Sequence, residues 1–283
     1  MTQEKTTKTG WERSNRVHFD DIAVNYDKTR WDYPDKLFED IFKYVNHNSD
    51  LHTKSKTALE IGAGTGKATV PFVKAGYDVT AVELGANMSA FLLKKFKDKP
   101  NFNVITSAFE DAQLEDESYN LIYAATAFHW VDSEIGCPKV FRLLKNGGVF
   151  ALFRYNAIPS IGEACYDEVQ KVYEKHYYNY YTTSMRPVKK SHEDFCTPEE
   201  IYHGFRFHDL KDYGFSDISM TFYDMSISIT ADERIALMET MSDHRALPEE
   251  NRKALYEEQR EVILRHGNKY TENITYQLYM GRK

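Results

Sequence analysis

A glycine-rich segment follows an apolar run that ends at Ile61. Gly62, Gly64 and Gly66 stand at alternate positions in it. Glycine permits positive φ angles and lets a ligand approach the backbone closely. The next apolar run ends in Glu83, 21 positions after Gly62, and a carboxylate at this spacing can accept both hydroxyls of a ribose. The loop and Glu83 together predict a nucleoside-binding site, whereas the loop alone can also be a purely structural turn.

The spacing of the glycines limits which class of nucleotide ligand the loop can bind. Dinucleotide sites use G-x-G-x-x-G because their helix begins close to a pyrophosphate. Here the spacing is G-x-G-x-G, and Lys67 occupies the position where a dinucleotide site has glycine. No G-x-x-x-x-G-K-[ST] pattern occurs, which excludes a P-loop. The loop is therefore not suited to a pyrophosphate.

Short apolar runs alternate with helical patterns through the part of the chain that carries this loop. Such alternation predicts a doubly wound α/β domain with a parallel sheet and helices on both faces. Its ligand is expected at the carboxyl ends of the strands. The predicted strands are 57–61, 78–83, 103–106, 120–127, 148–153, 218–229 and 274–280, and the predicted helices between the first five are 67–75, 87–97 and 133–144.

The flanking segments carry helical signals of their own. Phe19, Ile22 and Tyr26 follow the spacing of an amphipathic helix, and a second helix follows Pro34. Capping patterns at Thr197 and Thr230 predict helix starts. Another helix is expected between Pro248 and Gly267. We therefore divide the chain into an N-terminal helical lid (1–50), a cofactor-binding core (51–154), a Tyr-rich insertion (155–200) and a C-terminal part of the core (201–283) with a helical insertion at 230–267.

The pattern Glu60-x-Gly62-x-Gly64-x-Gly66, followed by Glu83, resembles the first two motifs of class I S-adenosylmethionine (SAM)-dependent methyltransferases. Residues 107–111 look like the adenine-binding segment of that family, and residues 143–150 like the entry to its fifth strand. Residues 19–34 are similar to the N-terminal lid of the type 11 and trans-aconitate methyltransferase-like subgroup. One departure is Asn120, where the family commonly has Asp.

This resemblance implies a Rossmann-like seven-stranded sheet whose last strand is antiparallel, with a helical lid and helical insertions after strands 5 and 6. It implies SAM as the cofactor and S-adenosylhomocysteine (SAH) as the product. The residues that it places at the cofactor are Tyr26, Arg30, Glu60, Gly62, Ala63, Gly64, Gly66, Glu83, Leu84, Met88, Ala108, Phe109, Glu110, Ala125 and Thr126.

Two of these cofactor residues lie in the lid. Tyr26 and Arg30 are one helical turn apart and share a helix face. In the resemblance they approach the methionine carboxylate, which an arginine can bind with two hydrogen bonds. The alternative is a solvated arginine beside a packing tyrosine.

His129 is the candidate catalytic residue. It follows the fourth predicted strand, whose end faces the ligand crevice of a doubly wound sheet. We interpret it either as a general base or substrate-binding residue, or as a structural histidine that holds the next helix. Tyr33, Trp130 and Tyr155 are the other candidate substrate-binding residues.

The Tyr-rich insertion has three possible roles: the wall of a substrate pocket, the core of a lid, or a dimer surface. The basic cluster at 186–190 is expected to be a solvated loop, and the alternative is that it pairs with an anionic substrate. The histidines show no zinc-site spacing, and we assign no metal.

Composition limits the classes of function. The chain has 283 residues, 42% hydrophobic and 28% charged, with a net charge of −7. Residues 1–154 carry a net charge of −1 and residues 155–283 carry −6, so neither half has the basic surface of a nucleic-acid binder. No apolar run of 18 residues occurs, and we expect no membrane partner.

We therefore expect a cytoplasmic monomer or homodimer that methylates a small-molecule acceptor at an oxygen, nitrogen or carbon atom. The alternative is a noncatalytic SAM-binding regulatory or partner protein.

Overall fold

The structure is a computed structural model, and it describes residues 23–47, 56–181, 186–188, 190–197 and 207–283. The chain divides into two compact units. The larger unit comprises Trp31–Asn156, His192–Tyr223 and Thr275–Lys283, and the smaller unit comprises Met1–Arg30, Ala157–Ser191 and Asp224–Ile274.

A seven-stranded sheet has the order β3-β2-β1-β4-β5-β7-β6. This order confirms the predicted Rossmann-like fold class. The strands are β1 (Thr57–Ile61), β2 (Asp78–Glu83), β3 (Phe102–Thr106), β4 (Tyr119–Ala125), β5 (Leu144–Ile158), β6 (Ser216–Ile229) and β7 (Tyr270–Arg282).

The central strands are parallel and almost wholly buried. β1 pairs with β2 on one side and with β4 on the other, and β4 pairs with β5, all in parallel. Four of the five residues of β1 and six of the seven residues of β4 are buried. Helices that cover both faces explain why these strands are apolar at successive positions. At the edge of the sheet, no residue of β3 is fully buried.

β7 runs antiparallel to the parallel strands, as expected. The Gly147 N–H donates to the Lys283 carbonyl, and the Lys283 N–H donates to the Gly148 carbonyl, at 3.0 and 2.9 Å. These reciprocal bonds join the beginning of β5 to the residue that follows β7, so the two strands run in opposite directions.

The helices of the larger unit are α2 (Asp35–Asn46), α3 (Thr69–Lys74), α4 (Ala86–Lys95) and α5 (Ser133–Leu143). They agree with the predicted helices within two residues at most ends. Two strands exceed their predicted bounds: β5 spans Leu144–Ile158 rather than 148–153, and β7 spans Tyr270–Arg282 rather than 274–280. Tyr155 therefore lies in a strand, and the helical insertion begins after it.

The smaller unit contains α1 (Ala23–Thr29), α6 (Ala164–His176), α7 (Ala231–Met238), α8 (Ser242–Arg245) and α9 (Glu249–Arg265). The capping box predicted at Thr230 is present, since its side chain accepts from Glu233 N and Glu233 reaches back to the Thr230 N–H. α9 begins after Pro248, in agreement with the predicted helix.

The tyrosines of the insertion form much of the smaller unit's core. Tyr166, Tyr173, Tyr177, Tyr178 and Tyr181 are all buried in one apolar cluster with residues of α7 and α9. Of the three roles considered for these five side chains, the structure supports the core.

Some predicted features lie outside the described residues: the start of the lid helix at 19–22, the helix after Thr197, Lys189 in the basic cluster and His203. In the part of the chain that the structure describes, no helix combines the length and apolar character needed to cross a membrane.

Candidate functional site

The glycine loop after β1 has an unusual backbone conformation. Gly62, Gly64 and Gly66 have φ angles of +68°, +55° and +76°, a region that side chains disfavour. The Gly62 N–H donates to the Val82 carbonyl at 2.8 Å, and the Gly66 N–H donates to Ala63 at 2.9 Å. The loop is thereby a folded turn against the end of β2.

The three glycines differ in what surrounds them. A Cβ on Gly62 would lie 2.7 Å from the Ala127 Cβ, and one on Gly66 would lie 2.7 Å from the Phe96 ring. A Cβ on Gly64 would meet nothing within 4 Å. Packing therefore accounts for two of the glycines, whereas the backbone at Gly64 faces space that a ligand can enter.

Glu83 joins the loop to the turn after β2. Its side chain accepts from the Gly64 N–H at 2.8 Å through one oxygen and from the Gly85 N–H at 2.9 Å through the other. Glu83 is 8% exposed. Each carboxylate oxygen can accept more than one hydrogen bond, so these bonds orient the carboxylate and leave acceptor capacity for a ligand.

Two lysines that sequence analysis did not place in the site support the loop. Lys95 donates to the Thr65 carbonyl at 2.9 Å. Lys67 forms an ion pair with Asp32 at 2.8 Å, and the Asp32 carbonyl accepts from Tyr276 OH at 2.9 Å. Lys67 thus stabilises the segment before α2. No short-range pattern revealed these partners, because Lys67 and Asp32 are 35 residues apart.

Glu60 lies beneath the loop and is fully buried. One carboxyl oxygen accepts from Thr69 Oγ1 at 2.5 Å and from Tyr123 OH at 2.9 Å. Burial raises the pKa of Glu60 to about 8, although these two hydrogen bonds favour the charged form. Its other oxygen, Oε1, has no hydrogen-bond partner among the described residues. The carboxyl is therefore mostly protonated at neutral pH.

Lys139 stabilises the segment after β3, which is the predicted adenine-binding segment. Its ammonium donates to the carbonyls of Phe109, Glu110 and Ala112 at 2.7, 3.1 and 2.6 Å. Phe109 is 4% exposed and belongs to the core of the larger unit. Ala108 and Glu110 are half-buried, so the less enclosed side of the predicted adenine segment is formed by them and not by the Phe109 ring.

The end of β4 is strained. Thr126, directly after Ala125, has φ +54°, which is uncommon for a β-branched residue. Its N–H donates to the Phe153 carbonyl at 2.7 Å, and its hydroxyl bonds with Tyr33 OH at 2.8 Å. Strain of this kind persists where neighbouring contacts hold it, and it is concentrated at functional sites.

His129 and Trp130 lie in a short 3₁₀ helix, Phe128–Trp130. Both side chains are half-buried, their ring centroids are 4.9 Å apart, and both make further contacts. The Trp130 N–H donates to the Ala127 carbonyl at 3.0 Å. The structure thus places His129 one turn after the strained Thr126, in the larger unit.

Tyr33 and Tyr155 belong to one aromatic group. The Tyr276 ring lies 5.8 Å from each of them, and Trp31 packs edge-on against Tyr155 at 5.4 Å. Tyr33 also contacts Phe153 at 5.0 Å. Two of the predicted substrate-binding residues are therefore brought together although they are 122 positions apart in the sequence.

The remaining residues that the resemblance assigns to the cofactor lie outside the glycine loop. Met88 is buried in α4, and Leu84 is half-buried in the turn before that helix. In the smaller unit, Arg30 donates to the Thr240 carbonyl at 2.7 Å and lies 5.1 Å from the Tyr26 ring centroid. Tyr26 and Arg30 thus contact each other, as their spacing predicts.

Comparison with known proteins agrees with the fold and the loop. Residues 59–152 match a methyltransferase domain family. An uncharacterized methyltransferase of Schizosaccharomyces pombe is 27% identical over 247 residues, covering 86% of this chain and 85% of that protein. A Dictyostelium discoideum protein named as a methyltransferase is 24% identical over 267 residues, covering 93% and 92%.

Two solved structures share the fold. One, a type II methyltransferase by name from Anaeromyxobacter dehalogenans, has a TM-score of 0.55 at 18% identity and covers 89% of this chain and 97% of its own. The other is a phosphoethanolamine N-methyltransferase of Haemonchus contortus, with a TM-score of 0.52 at 14% identity. The alignment covers 98% of this chain and 60% of that longer protein.

Proposed function

We propose that this chain, a class I SAM-dependent methyltransferase with SAM as its cofactor, transfers the SAM methyl group to a small-molecule acceptor. SAM supplies an electrophilic sulfonium methyl group, and transfer to a nucleophile leaves SAH. The carbon–sulfur bond breaks as the bond from the acceptor to the methyl group forms, and SAH leaves as a neutral thioether, so the protein contributes mainly by positioning the reactants and excluding water.

The observation that carries the proposal is the pairing of the Gly64 backbone with the Glu83 carboxylate. Gly64 faces open space, and Glu83 is oriented by two backbone amides. In this proposal the Glu83 carboxylate accepts the ribose hydroxyls while the Gly64 backbone lies against the ligand. An oriented carboxylate loses little entropy when it binds, which favours affinity.

Glu60 is assigned to the amino end of the cofactor. Its buried Oε1 has no partner among the described residues, which fits a group that completes its hydrogen bonds when a ligand binds. Binding of a charged amino group would favour the ionised carboxyl, so binding is expected to release a proton from Glu60 near neutral pH. The methionine carboxylate stays assigned to Tyr26 and Arg30 as a prediction from the resemblance.

SAH titration tests the cofactor site. We expect wild-type protein to bind SAH. Glu83→Gln should raise the SAH dissociation constant at least tenfold, because an amide cannot accept hydrogen bonds from both ribose hydroxyls and both loop amides. Glu115→Gln is the matched control, since Glu115 is exposed and is not among the residues assigned to the cofactor. Failure of wild-type protein to bind SAH, or equal affinity in both variants, would contradict the assignment.

Methyl transfer is tested with labelled SAM and a panel of small carboxylic acids, phenols and amines. The expected result is transfer to at least one class of acceptor with one SAH released per methyl group. SAH binding without transfer to any acceptor would instead support a noncatalytic regulatory protein.

His129 is assigned as the general base or acceptor-binding residue near the end of β4. Its position after the strained Thr126 supports this role, with Tyr33, Trp130 and Tyr155 contributing to the acceptor site. His129→Ala is expected to lower kcat and to remove the dependence of kcat on pH between about 5.5 and 7.5, the range in which histidine titrates. His129→Asn separates hydrogen bonding from proton transfer. Unchanged kcat in both variants would exclude a catalytic role.

We further propose a cytoplasmic monomer or homodimer without nucleic-acid or membrane partners.

A further inference from the structure

The segment after β3 forms one turn of helix that does not continue. The N–H groups of Asp111 and Ala112 both donate to the Ala108 carbonyl, at 3.1 and 3.0 Å, and the chain leaves the turn after Ala112. In a longer helix the later carbonyls would accept from N–H groups of the next turn. Because there is no next turn, these carbonyls need other donors.

A single side chain from a distant part of the chain supplies the donors. The Lys139 ammonium group donates to the carbonyls of Phe109, Glu110 and Ala112, at 2.7, 3.1 and 2.6 Å. An ammonium group has three hydrogens and no acceptor, so these bonds use its full donor capacity. Hydrogen bonds from a charged donor are also stronger than those between neutral groups. Lys139 thus replaces the missing next turn.

Packing fixes Lys139 and the turn relative to each other. Lys139 lies on α5, whose Cys137 and Val140 side chains are buried in the core of the larger unit. Phe109 and Ala112 belong to the same core, and the ammonium group lies 5.1 Å from the Phe109 ring centroid. The position of the turn is therefore set by α5.

The turn is also joined to the proposed cofactor site. The Ser107 N–H donates to the Glu83 carbonyl at 2.9 Å, so the turn begins beside the residue assigned to the ribose. Glu110 is half-buried, whereas Phe109 before it is buried. Because Lys139 binds the carbonyls of both residues, it fixes the backbone from which the Glu110 side chain extends.

We propose that Lys139 is a positioning residue that determines how selectively the site binds adenine. By holding the backbone of the turn, it directs the Glu110 carboxylate toward the exocyclic amine of the base. Lys139 acts through the turn and is assigned no contact with the ligand. This inference rests on the proposed SAM site, in which Glu110 contacts the cofactor.

A ligand with a different base separates this role from a contribution to folding. S-Inosylhomocysteine has a carbonyl oxygen in place of the exocyclic amine of SAH, and an N–H in place of the adjacent ring nitrogen. A carboxylate held at the amine position faces an oxygen in this ligand, and a site built to accept from an N–H group discriminates strongly against a ligand without it. We expect wild-type protein to bind SAH at least tenfold more tightly than S-inosylhomocysteine.

Lys139→Met is the decisive variant, because it removes the ammonium group and keeps an unbranched side chain. The ratio of the S-inosylhomocysteine dissociation constant to the SAH dissociation constant, measured by calorimetry, should fall at least fivefold. The reason is that a Glu110 carboxylate that is no longer held can shift to the ring N–H. If Lys139 only stabilised the fold, both constants would change by the same factor.

Arg142→Met is the matched control, because Arg142 is an exposed cation on the same helix and pairs with Asp116. Its ratio of dissociation constants should equal that of wild-type protein.

A double-mutant cycle tests whether Lys139 acts through Glu110. Glu110→Gln alone should lower the same ratio, since an amide can both accept and donate. Adding Lys139→Met to Glu110→Gln should lower the ratio by less than a further twofold. Additive effects would show that the two residues act independently, which would contradict the proposal.

Lys139→Arg carries the test if Lys139→Met does not bind SAH. The arginine side chain keeps the charge, but its planar guanidinium cannot direct three N–H groups from one nitrogen, so the ratio should lie at least threefold below that of wild-type protein. Wild-type ratios in the Lys139 variants, or no preference for SAH in wild-type protein, would overturn the proposal. Failure of wild-type protein to bind SAH at all would instead contradict the proposed function.

Discussion

At the scale of single residues, Glu60 and Glu83 show how position alters a carboxyl group. Each belongs to one of two neighbouring motifs, yet Glu60 is enclosed beneath the loop and accepts hydrogen bonds from side chains. Glu83 accepts from backbone amides at the edge of the same loop. The first is therefore suited to exchange a proton, and the second to hold the loop and a ligand in place.

The raised pKa of Glu60 predicts a dependence of stability on pH. In the folded protein its pKa is about 8, against an ordinary value of 4.5, so the folded state binds the proton more tightly and stability falls as pH rises through this interval. Glu60→Gln resembles the protonated form and should remove this loss. The resulting difference in the free energy of unfolding between wild type and Glu60→Gln is at most about 5 kcal/mol, since one pKa unit corresponds to about 1.4 kcal/mol.

Urea unfolding of wild-type protein and Glu60→Gln at pH 5, 6, 7 and 8, without cofactor, measures this difference. Glu115→Gln, an exposed carboxyl, is the control and should follow the wild-type curve. Parallel pH profiles for wild type and Glu60→Gln would show that Glu60 is ionised throughout.

At the scale of elements, the turn between β1 and α3 combines packing and ligand access. Gly62 and Gly66 lie against neighbouring side chains, whereas Gly64 does not. The same glycine pattern therefore permits close packing at two positions and ligand access at the third. Substitutions at single glycines can distinguish these two roles.

Gly64→Ala is expected to lower stability by only about 1 to 2 kcal/mol, the cost of a left-handed backbone conformation for alanine, while SAH affinity falls at least tenfold because the new methyl group enters the ligand space. Gly62→Ala should cost about 1 to 3 kcal/mol more than Gly64→Ala, since its Cβ overlaps Ala127. Urea unfolding and SAH calorimetry on both variants measure the two effects. Wild-type SAH affinity in Gly64→Ala would mean that no ligand approaches this position.

The capping box of α7 gives a second prediction at this scale. Thr230→Ala removes the side-chain acceptor of the Glu233 N–H and should destabilise the protein by about 1 kcal/mol. Thr230→Ser preserves the hydroxyl and serves as the control. Equal urea midpoints for the two variants would show that the cap contributes nothing measurable.

At the scale of the whole molecule, charge is unevenly distributed along the chain. The first 154 residues are nearly neutral, and the remainder carries a net charge of −6. Nucleic-acid binding gains most of its nonspecific affinity from cationic side chains that displace counterions. The chain lacks such an excess in both halves.

We therefore predict no saturable binding to a 20-base-pair duplex at a dissociation constant below about 100 µM, the weak end of nonspecific binding. Fluorescence anisotropy with a labelled duplex at low salt is the measurement, and a basic DNA-binding protein is the positive control. A salt-dependent dissociation constant in the micromolar range would contradict the prediction.

Short-range patterns in the sequence were sufficient to predict much of the fold. The bounds of β1 and β2 follow from apolar runs that end at glycine or acidic residues, because strands buried on both faces are apolar at successive positions. The glycine loop, the capping box at Thr230 and the start of α9 were likewise predictable, since turns and caps depend on residues within four positions of one another.

Contacts between distant residues were decided only by the tertiary structure. Glu60 and Tyr123 are 63 residues apart, Tyr33 and Thr126 are 93 apart, and Tyr177 and Asp243 are 66 apart, so no local spacing relates them. The sequence by itself established the sheet, the loop and the cofactor class. The structure decided which carboxyl groups are buried and which tyrosines form a core, because burial and its effect on charge depend on the packing of the whole chain.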